Sequence, residues 1–308
     1  MANPFSSSSS CSLLNLKQHF IVSFLFVTFT IITHVNGCFT SIFSFGDSFA
    51  DTGNFLQISL SEHSELPQSA FPPYGRTFFH HPTGRFSDGR LVIDFIAEDF
   101  RLPFLPPYFG GENGRSNNFQ KGVNLAVAGA TALDDEILKE RGITNPATNV
   151  TLGVELGFFR DVLSSLCSSS SVTFLVPGNL PFGCFPSCLT NFEGSDEEEY
   201  DPLTGCLTWL NQFSEYHNQL LQEELARIQE IHPHVNIVYA DYYSAAIRFY
   251  LSPKQFGFRK ETLTKACCGG GGPYNFNLSA ICGYPLVTSC CDDPSSYKQP
   301  TDCFRGPY

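Results

Sequence analysis

The sequence predicts an α/β protein, because short apolar runs alternate along it with longer segments whose apolar residues have helical spacing. The short runs are rich in β-branched and aromatic residues, as buried strands are. The longer segments place apolar residues three or four positions apart, which puts them on one face of a helix. The predicted strands are 42–45, 123–128, 172–176 and 235–240, and the predicted helices are 91–100, 152–166, 207–231 and a Tyr-rich stretch that ends at Tyr250.

Proline ends two of these helices. Pro103 follows helix 91–100, and His232-Pro233 follow helix 207–231, since the residue before a proline disfavours helical geometry. Residues 57–84 are rich in Pro, His and aromatic residues, and we predict an ordered loop there. In helix 152–166, the residues predicted to face the core are Leu152, Leu156, Phe159, Val162, Leu163 and Leu166.

Residues 1–37 predict a secretory signal peptide, which leaves residues 38–308 as one domain. Lys17 is the only charged residue in this segment, residues 20–32 are largely apolar, and small residues precede a plausible cleavage site at 35–37. The apolar run is shorter than the ~20 residues that a membrane span needs. The sequence therefore predicts a secreted, extracellular protein without a stable membrane span.

Composition and charge exclude several partners. The chain has 308 residues, enough for one large domain with a sizeable core. Its formal net charge of −12 argues against binding to nucleic acid or to an anionic membrane surface. The glycine run after residues 267–268 lacks the Lys-Ser/Thr of a phosphate loop, and the acidic run 193–201 lacks the ligand pattern of a calcium loop. We therefore predict no cofactor and no metal.

The cysteines indicate disulfides. Of the twelve cysteines, Cys11 lies in the predicted signal, so eleven remain and at least one lies outside intrachain pairing. No histidine stands at metal-ligand spacing beside Cys184, Cys188 or the neighbouring pairs 267–268 and 290–291, which favours disulfides over a metal site. The connectivity stays open.

Two acceptor sequences for N-linked glycosylation agree with export. These are Asn149-Val150-Thr151 and Asn277-Leu278-Ser279. We predict glycans on Asn149 and Asn277.

Residues 42–54 contain the candidate nucleophile. The predicted strand breaks at Gly46, and Ser48 follows two residues later. A serine just past a strand end, entering a helix N-terminus, is exposed, and backbone N–H groups point toward its substrate. Alone, Gly46-Asp47-Ser48 also fits a strand-ending turn with an Asp or Ser helix cap.

The longer sequence resembles the plant GDSL esterase/lipase family, a branch of the SGNH hydrolases. Phe45-Gly46-Asp47-Ser48 followed by Asp51-Thr52-Gly53-Asn54 is similar to the first block of that family. The resemblance covers nearly all of the chain after residue 38, and its closest form is that of the alkaloid-ester and sinapine-ester hydrolases. Further motifs that carry it are 72–75, 83–90, 122–130, 174–178 and 200–207.

The resemblance implies a fold and a reaction. The fold is a three-layer α/β/α sandwich of the flavodoxin-like SGNH type, with a mostly parallel sheet of five strands. The reaction is hydrolysis of carboxylic or lipid esters, with Ser48 as nucleophile and a small-molecule ester as substrate. Gly129 matches the family glycine whose backbone N–H donates to the oxyanion, and the alternative is a glycine required only by a tight turn.

One inner element of the family has no counterpart here. Between such a helix and strand, the family carries a strand ending in Gly-x-Asn-Asp, whose asparagine completes the oxyanion hole, and then another helix. The connection 166–172 is too short for these elements, which need about a dozen residues or more, and the sequence has no Asn-Asp pair. Asn179 does not match the motif. We therefore expect the loss of an inner βα unit.

The family's general base is also unmatched. Its histidine and orienting aspartate come from an Asp-x-x-His motif after the segment that resembles 290–297. Residues 298–308 follow here instead, and no Asp-x-x-His occurs in the sequence. We expect the general base, its Asp and the C-terminal helix to be absent.

Two hypotheses about activity therefore stay open. In the first, the protein is a secreted serine ester hydrolase that uses Ser48 with a surrogate base, for which His80, His81 and His217 are candidates. A surface or structural position is the favoured explanation of each histidine. In the second, the chain is a catalytically silent, truncated secreted glycoprotein of the same family.

Overall fold

The computed structural model describes most of the chain after the predicted signal, which itself lies outside the described residues. The described residues are 39–62, 65–110, 119–140, 142, 147–163, 173–194, 199–269 and 271–283.

Parallel strand pairs confirm the predicted α/β class. Strand β1 (Ile42–Ser44) pairs with β2 (Gly122–Asn124), with Ile42 opposite Gly122. Strand β3 (Thr173–Pro177) pairs with β4 (Asn236–Ala240). The described residues form two separate two-stranded sheets where the resembling family has one sheet of five strands.

The long predicted helices are confirmed, and shorter ones are added. In chain order, the helices are α1 (Asn54–Ser61), α2 (Val92–Asp99), α3 (Asp135–Glu140), α4 (Leu152–Leu163), α5 (Pro186–Asn191), α6 (Thr208–Ile231) and α7 (Tyr242–Leu251). The prediction of a loop throughout 57–84 is wrong at its start, because α1 continues to Ser61. Helices α1, α3 and α5 are too short, or too weakly periodic, to be recognised from spacing alone.

The first strand pair lies in an aromatic core. Val123, Leu125 and Val162 are buried together with Tyr108, and the Phe159 ring packs edge-on against the rings of strand residues nearby. The chain after β2 continues beside the end of β1, because Leu125 N donates to Ser44 O at 2.8 Å. Residues 125–128 are buried, so the predicted strand 123–128 is correct in burial although β2 ends at Asn124.

The buried face of α4 differs from the predicted face. Leu152 and Leu156 are exposed, whereas Glu155 is buried and Val162 lies in the core. The helix is therefore rotated relative to the prediction, and it turns a carboxyl group inward.

The second strand pair is less covered than the first. The side chains of Phe174 and Leu175 on β3 are 48% and 47% exposed, and Val238 on β4 is 40% exposed. Parallel sheets are normally covered on both faces by helices. Small apolar clusters lie beside this pair, around Leu189, Leu207 and Leu210 and around Tyr250, Phe258 and Leu263.

Disulfides confirm the predicted use of cysteine. Cys184 is bonded to Cys206, and Cys268 to Cys282, while Cys188 is unpaired. Within the described ranges, no group of three His, Cys, Asp or Glu side chains is placed to hold a metal ion. Over the same residues, no helix has both the length and the apolar character that crossing a membrane requires.

Replacing Leu125 with alanine tests the aromatic core around β1 and β2. Leu125 is fully buried beside β1, so Leu125→Ala removes packed methyl groups and leaves a cavity. We expect the free energy of unfolding to fall by about 2–5 kcal/mol, measured by urea unfolding. Leu203→Ala, at a residue that is 65% exposed, is the control and should change it by less than about 0.5 kcal/mol. Equal changes in the free energy of unfolding for the two variants would contradict the placement of Leu125 in this core.

Candidate active site

Ser48 lies in a turn that directly follows β1. Gly46 has a φ of +127°, a conformation that favours glycine, and the chain then turns so that Asp47 O accepts hydrogen bonds from Ala50 N and Asp51 N. The side chain of Asp47 accepts a further bond from Phe49 N at 3.0 Å. Ser48 is half-buried at this turn. The position past the strand end is confirmed.

The predicted helix N-terminus at Ser48 is wrong. Helix α1 begins six residues later, at Asn54, and the carboxylate of Asp51 caps it. Asp51 accepts hydrogen bonds from Gly53 N at 2.7 Å, Asn54 N at 2.6 Å and Phe55 N at 3.0 Å. The alternative interpretation is correct for the strand-ending turn at 46–48, but the capping residue is Asp51 and not Asp47 or Ser48.

Asp51 also joins this turn to the loop that contains Gly129. Its Oδ2 accepts a hydrogen bond from Ala128 N at 2.8 Å, and the side chain is fully buried. Burial raises the pKa of Asp51, and the four backbone N–H donors oppose that rise. One carboxylate thus holds the chain after β1, the start of α1 and the chain after β2 together.

Glu155 makes a second connection between the same loops. From α4, its Oε2 accepts a hydrogen bond from Gly46 N at 2.8 Å, and its Oε1 accepts one from Val127 N at 3.3 Å. The side chain has 0% exposure. Burial, followed by the charges of Asp51 and Asp47, raises the pKa of Glu155 to about 8.

Two buried asparagines complete the polar contacts behind Ser48. Asn54 Nδ2 donates to Asn124 O and Ala126 O, both at 2.9 Å. Asn124 Nδ2 donates to Ala50 O at 2.7 Å, and its Oδ1 accepts from Thr52 N at 3.3 Å. The peptide groups of the serine-bearing turn are therefore bound to β2 by side chains.

Gly129 is required by conformation and by space. Its φ is +84°, and an added Cβ would lie 2.7 Å from the Cβ of Ala147. These facts support the tight-turn interpretation. Ser48 and Gly129 lie on loops that leave the same edge of the β1–β2 pair, since Val127 N donates to Gly46 O at 3.0 Å.

A buried ion pair supports the turn from its other side. Arg85 binds Asp94 through Nε–Oδ2 at 2.9 Å and Nη2–Oδ1 at 2.8 Å, and its Nη1 donates to Thr52 O at 3.3 Å. The guanidinium also lies 4.6 Å from the centre of the Phe79 ring. Arg85 lies within the motif 83–90, whose role cannot be read from the sequence.

The candidate histidines lie at the surface. His80 and His81 are exposed, the ring Nδ1 of His81 is 2.7 Å from Phe79 O, and His217 is exposed on α6. In the described part of the chain, no hydrogen bond joins a histidine side chain to Ser48. This agrees with the surface interpretation of these residues.

The sequence interpretation missed Glu155, Asn124 and Arg85. For Glu155 a signal existed, since it lies three and seven residues before Phe158 and Val162 on the buried face of α4. A carboxylate at such a position is uncommon unless hydrogen bonds satisfy it.

Parallel strands, a serine in the turn after one strand and a glycine loop after its neighbour are the arrangement expected at the candidate site of an SGNH-type α/β protein. A sequence profile of the family described as GDSL-like Lipase/Acylhydrolase matches residues 42–165. The chain is 48% identical to GDSL esterase/lipase At1g31550 of Arabidopsis thaliana, over 92% of this chain and 84% of that protein. It is 47% identical to GDSL esterase/lipase At1g28590 of the same plant, over 93% and 84%.

The chain belongs to the plant GDSL esterase/lipase family. The predicted family is therefore confirmed. These relatives have the general family name, so the narrower likeness to alkaloid-ester and sinapine-ester hydrolases stays a prediction.

Two carboxylates on α2 test the support behind Ser48. Asp94→Asn leaves Arg85 buried without a compensating charge, so we expect the free energy of unfolding to fall by about 3–5 kcal/mol. Glu98→Gln is the matched control, because Glu98 pairs with Arg90 at the surface and should be worth about 0–1 kcal/mol. Chemical denaturation of both variants measures the difference, and a small loss for Asp94→Asn would refute the role of the pair.

Proposed function

We propose that this protein hydrolyses carboxylic esters, including lipid esters, with Ser48 as the nucleophile. The observation that supports this most directly is the position of Ser48 beside the Gly129 loop, at one edge of a parallel strand pair. The Oγ atom of Ser48 attacks the ester carbonyl carbon, and the alcohol leaves as the tetrahedral intermediate collapses. Water then releases the acid from the acyl-enzyme.

Backbone donors stabilise the negative charge in this proposal. In this proposal the N–H of Gly129 and the N–H of the serine-bearing turn donate to the developing oxyanion, as donors fixed before the reaction begins. Asp51 and Glu155 hold the two loops that supply them. The free-energy cost of ordering these donors is therefore incurred during folding and not during turnover.

The proton of Ser48 needs an acceptor. The sequence contains no Asp-x-x-His, so we propose a surrogate base. His80, His81 and His217 are the first candidates to test by mutation. A serine hydrolase that lacks a triad member retains roughly 10³–10⁴-fold acceleration over water from its oxyanion hole and binding. We therefore expect slow turnover.

A second candidate function is a catalytically silent secreted glycoprotein of this family. It is favoured by the short connection between α4 and β3, residues 164–172, which replaces the Gly-x-Asn-Asp unit of the family. The alignment with At1g31550 extends over 344 residues, more than the 308 of this chain, so it includes positions without a counterpart here. The exposed apolar residues of β3 and β4 agree with a lost neighbouring unit.

Ester hydrolysis by the purified chain separates the two candidates. With p-nitrophenyl acetate, we expect a rate above background that Ser48→Ala reduces to background, because the nucleophile is removed. Ser61→Ala, at an exposed serine on α1 whose hydroxyl bonds to Ile58 O, is the control and should retain the full rate. Equal rates for the wild type and Ser48→Ala, from folded protein, would favour the silent candidate.

Export and modification form a separate part of the proposal. We expect the protein from culture medium to begin at Cys38 and to carry glycans on Asn149 and Asn277, as intact mass and N-terminal sequencing would detect. Asn277 is exposed in an exposed acceptor sequence, whereas Thr151 is buried and donates to Asp134 at 2.9 Å. Asn277→Gln should remove one glycan, and an unchanged mass after enzymatic deglycosylation of the wild type would refute the prediction.

A further inference from the structure

Glu155 is a buried carboxyl group that bonds to neither of the residues proposed to react. It belongs to α4, and its partners are Gly46, 109 residues earlier, and Val127, 28 residues earlier. Gly46 lies two residues before Ser48, and Val127 lies two residues before Gly129. Both carboxyl oxygens are used, one for each loop.

We propose that Glu155 is a positioning residue that fixes the spacing between the Ser48 turn and the Gly129 loop. The role rests on the proposed function, since the spacing matters for catalysis only if Ser48 attacks and Gly129 donates. Asp51 bonds to the same two segments from the opposite end of the turn, through Ala128. The two carboxyl groups together leave the loops little freedom to separate.

The site matches a carboxyl group. Both partners are backbone N–H donors, and Glu155 supplies a separate acceptor atom to each. Glutamine offers one oxygen, and its NH₂ group would face the other N–H. Aspartate is one methylene shorter, so its carboxyl group would lie farther from both N–H donors at the same helix position.

The protonation state of Glu155 provides a readout that a purely structural contact lacks. The charged groups that face it are Asp51 and Asp47, both on the serine-bearing turn. Each carboxyl oxygen keeps a lone pair for its N–H when Glu155 is neutral, whereas ionisation adds a second negative charge beside buried Asp51. The two hydrogen bonds favour the ionised form, but burial and the neighbouring carboxylates outweigh them, so the closed arrangement of the loops becomes less stable relative to an opened, solvated one as the pH rises.

The direction of the pH effect follows from the raised pKa. Folding raises the pKa of Glu155 from 4.5 to about 8, so the folded chain retains a proton that the unfolded chain releases. The stability that this proton contributes is complete below pH 4.5 and is lost as the pH rises through about 8.

Hydrogen exchange of the full chain, followed by mass spectrometry, tests the role without any substrate. In Glu155→Gln we expect peptides that cover 43–50 and 124–130 to exchange roughly fivefold to a hundredfold faster, since one buried N–H loses its acceptor. In the wild type, the same peptides should lose protection between about pH 5 and pH 8, after correction for intrinsic exchange, because the closed arrangement retains the proton of Glu155 over this range. The variant should lack this pH dependence, and peptides of α6 should not change.

Glu140→Gln is the matched control, because it makes the same chemical change at an exposed carboxylate. Unchanged exchange in both loops of Glu155→Gln would overturn the proposal. If that variant does not fold, the wild-type pH series decides: a loop-specific loss of protection supports the role, and uniform behaviour refutes it.

The outcome is separable from that of the ester assay. Loops that respond in a protein without hydrolysis would support the positioning role and contradict the proposed function. Hydrolysis in a protein whose loops do not respond would support the proposed function and contradict the positioning role. Where hydrolysis occurs, we expect Glu155→Gln to lower kcat more than it changes KM, and to remove the decline in kcat that the wild type shows above about pH 8.

Discussion

The structure around Ser48 depends on one buried carboxylate. Asp51 accepts four backbone N–H groups, from Gly53, Asn54 and Phe55 at the start of α1 and from Ala128 after β2. A carboxylate without such donors would be too costly to bury. Conversely, these N–H groups would be orphaned without it. The turn that presents Ser48 and the loop that presents Gly129 are therefore built around the same side chain.

This constraint explains why the family resemblance extends well beyond the serine. In the string Asp51-Thr52-Gly53-Asn54, Asp51 caps α1, and Asn54 binds the peptide oxygens of Asn124 and Ala126. Arg85 binds Thr52 O while it pairs with Asp94. These residues support the reacting group and do not themselves react, so a complete support tells nothing about turnover.

The two strand pairs differ in how completely they are built. Around β1 and β2, aromatic rings cover the apolar side chains and side-chain amides satisfy the loops. Around β3 and β4, large apolar side chains face solvent, and two disulfides fix nearby loops. The first pair carries the proposed nucleophile and oxyanion donor, and the Gly-x-Asn-Asp unit that we expect to be lost would lie between the two pairs. The motifs that define the family therefore do not by themselves decide activity.

The sequence by itself determined the family, the parallel α/β class, the position of Ser48 after a strand, and the helices α2, α4, α6 and α7. Periodicity and strand-ending glycines are local signals that suffice for the strands and helices, whereas the family and its parallel sheet followed from the resemblance of the motifs. The tertiary structure alone decided that Asp51 caps α1, that α4 turns Glu155 inward, and which cysteines pair. These depend on hydrogen bonds and contacts between segments far apart in the chain, up to 109 residues for Glu155 and Gly46, which no local pattern encodes.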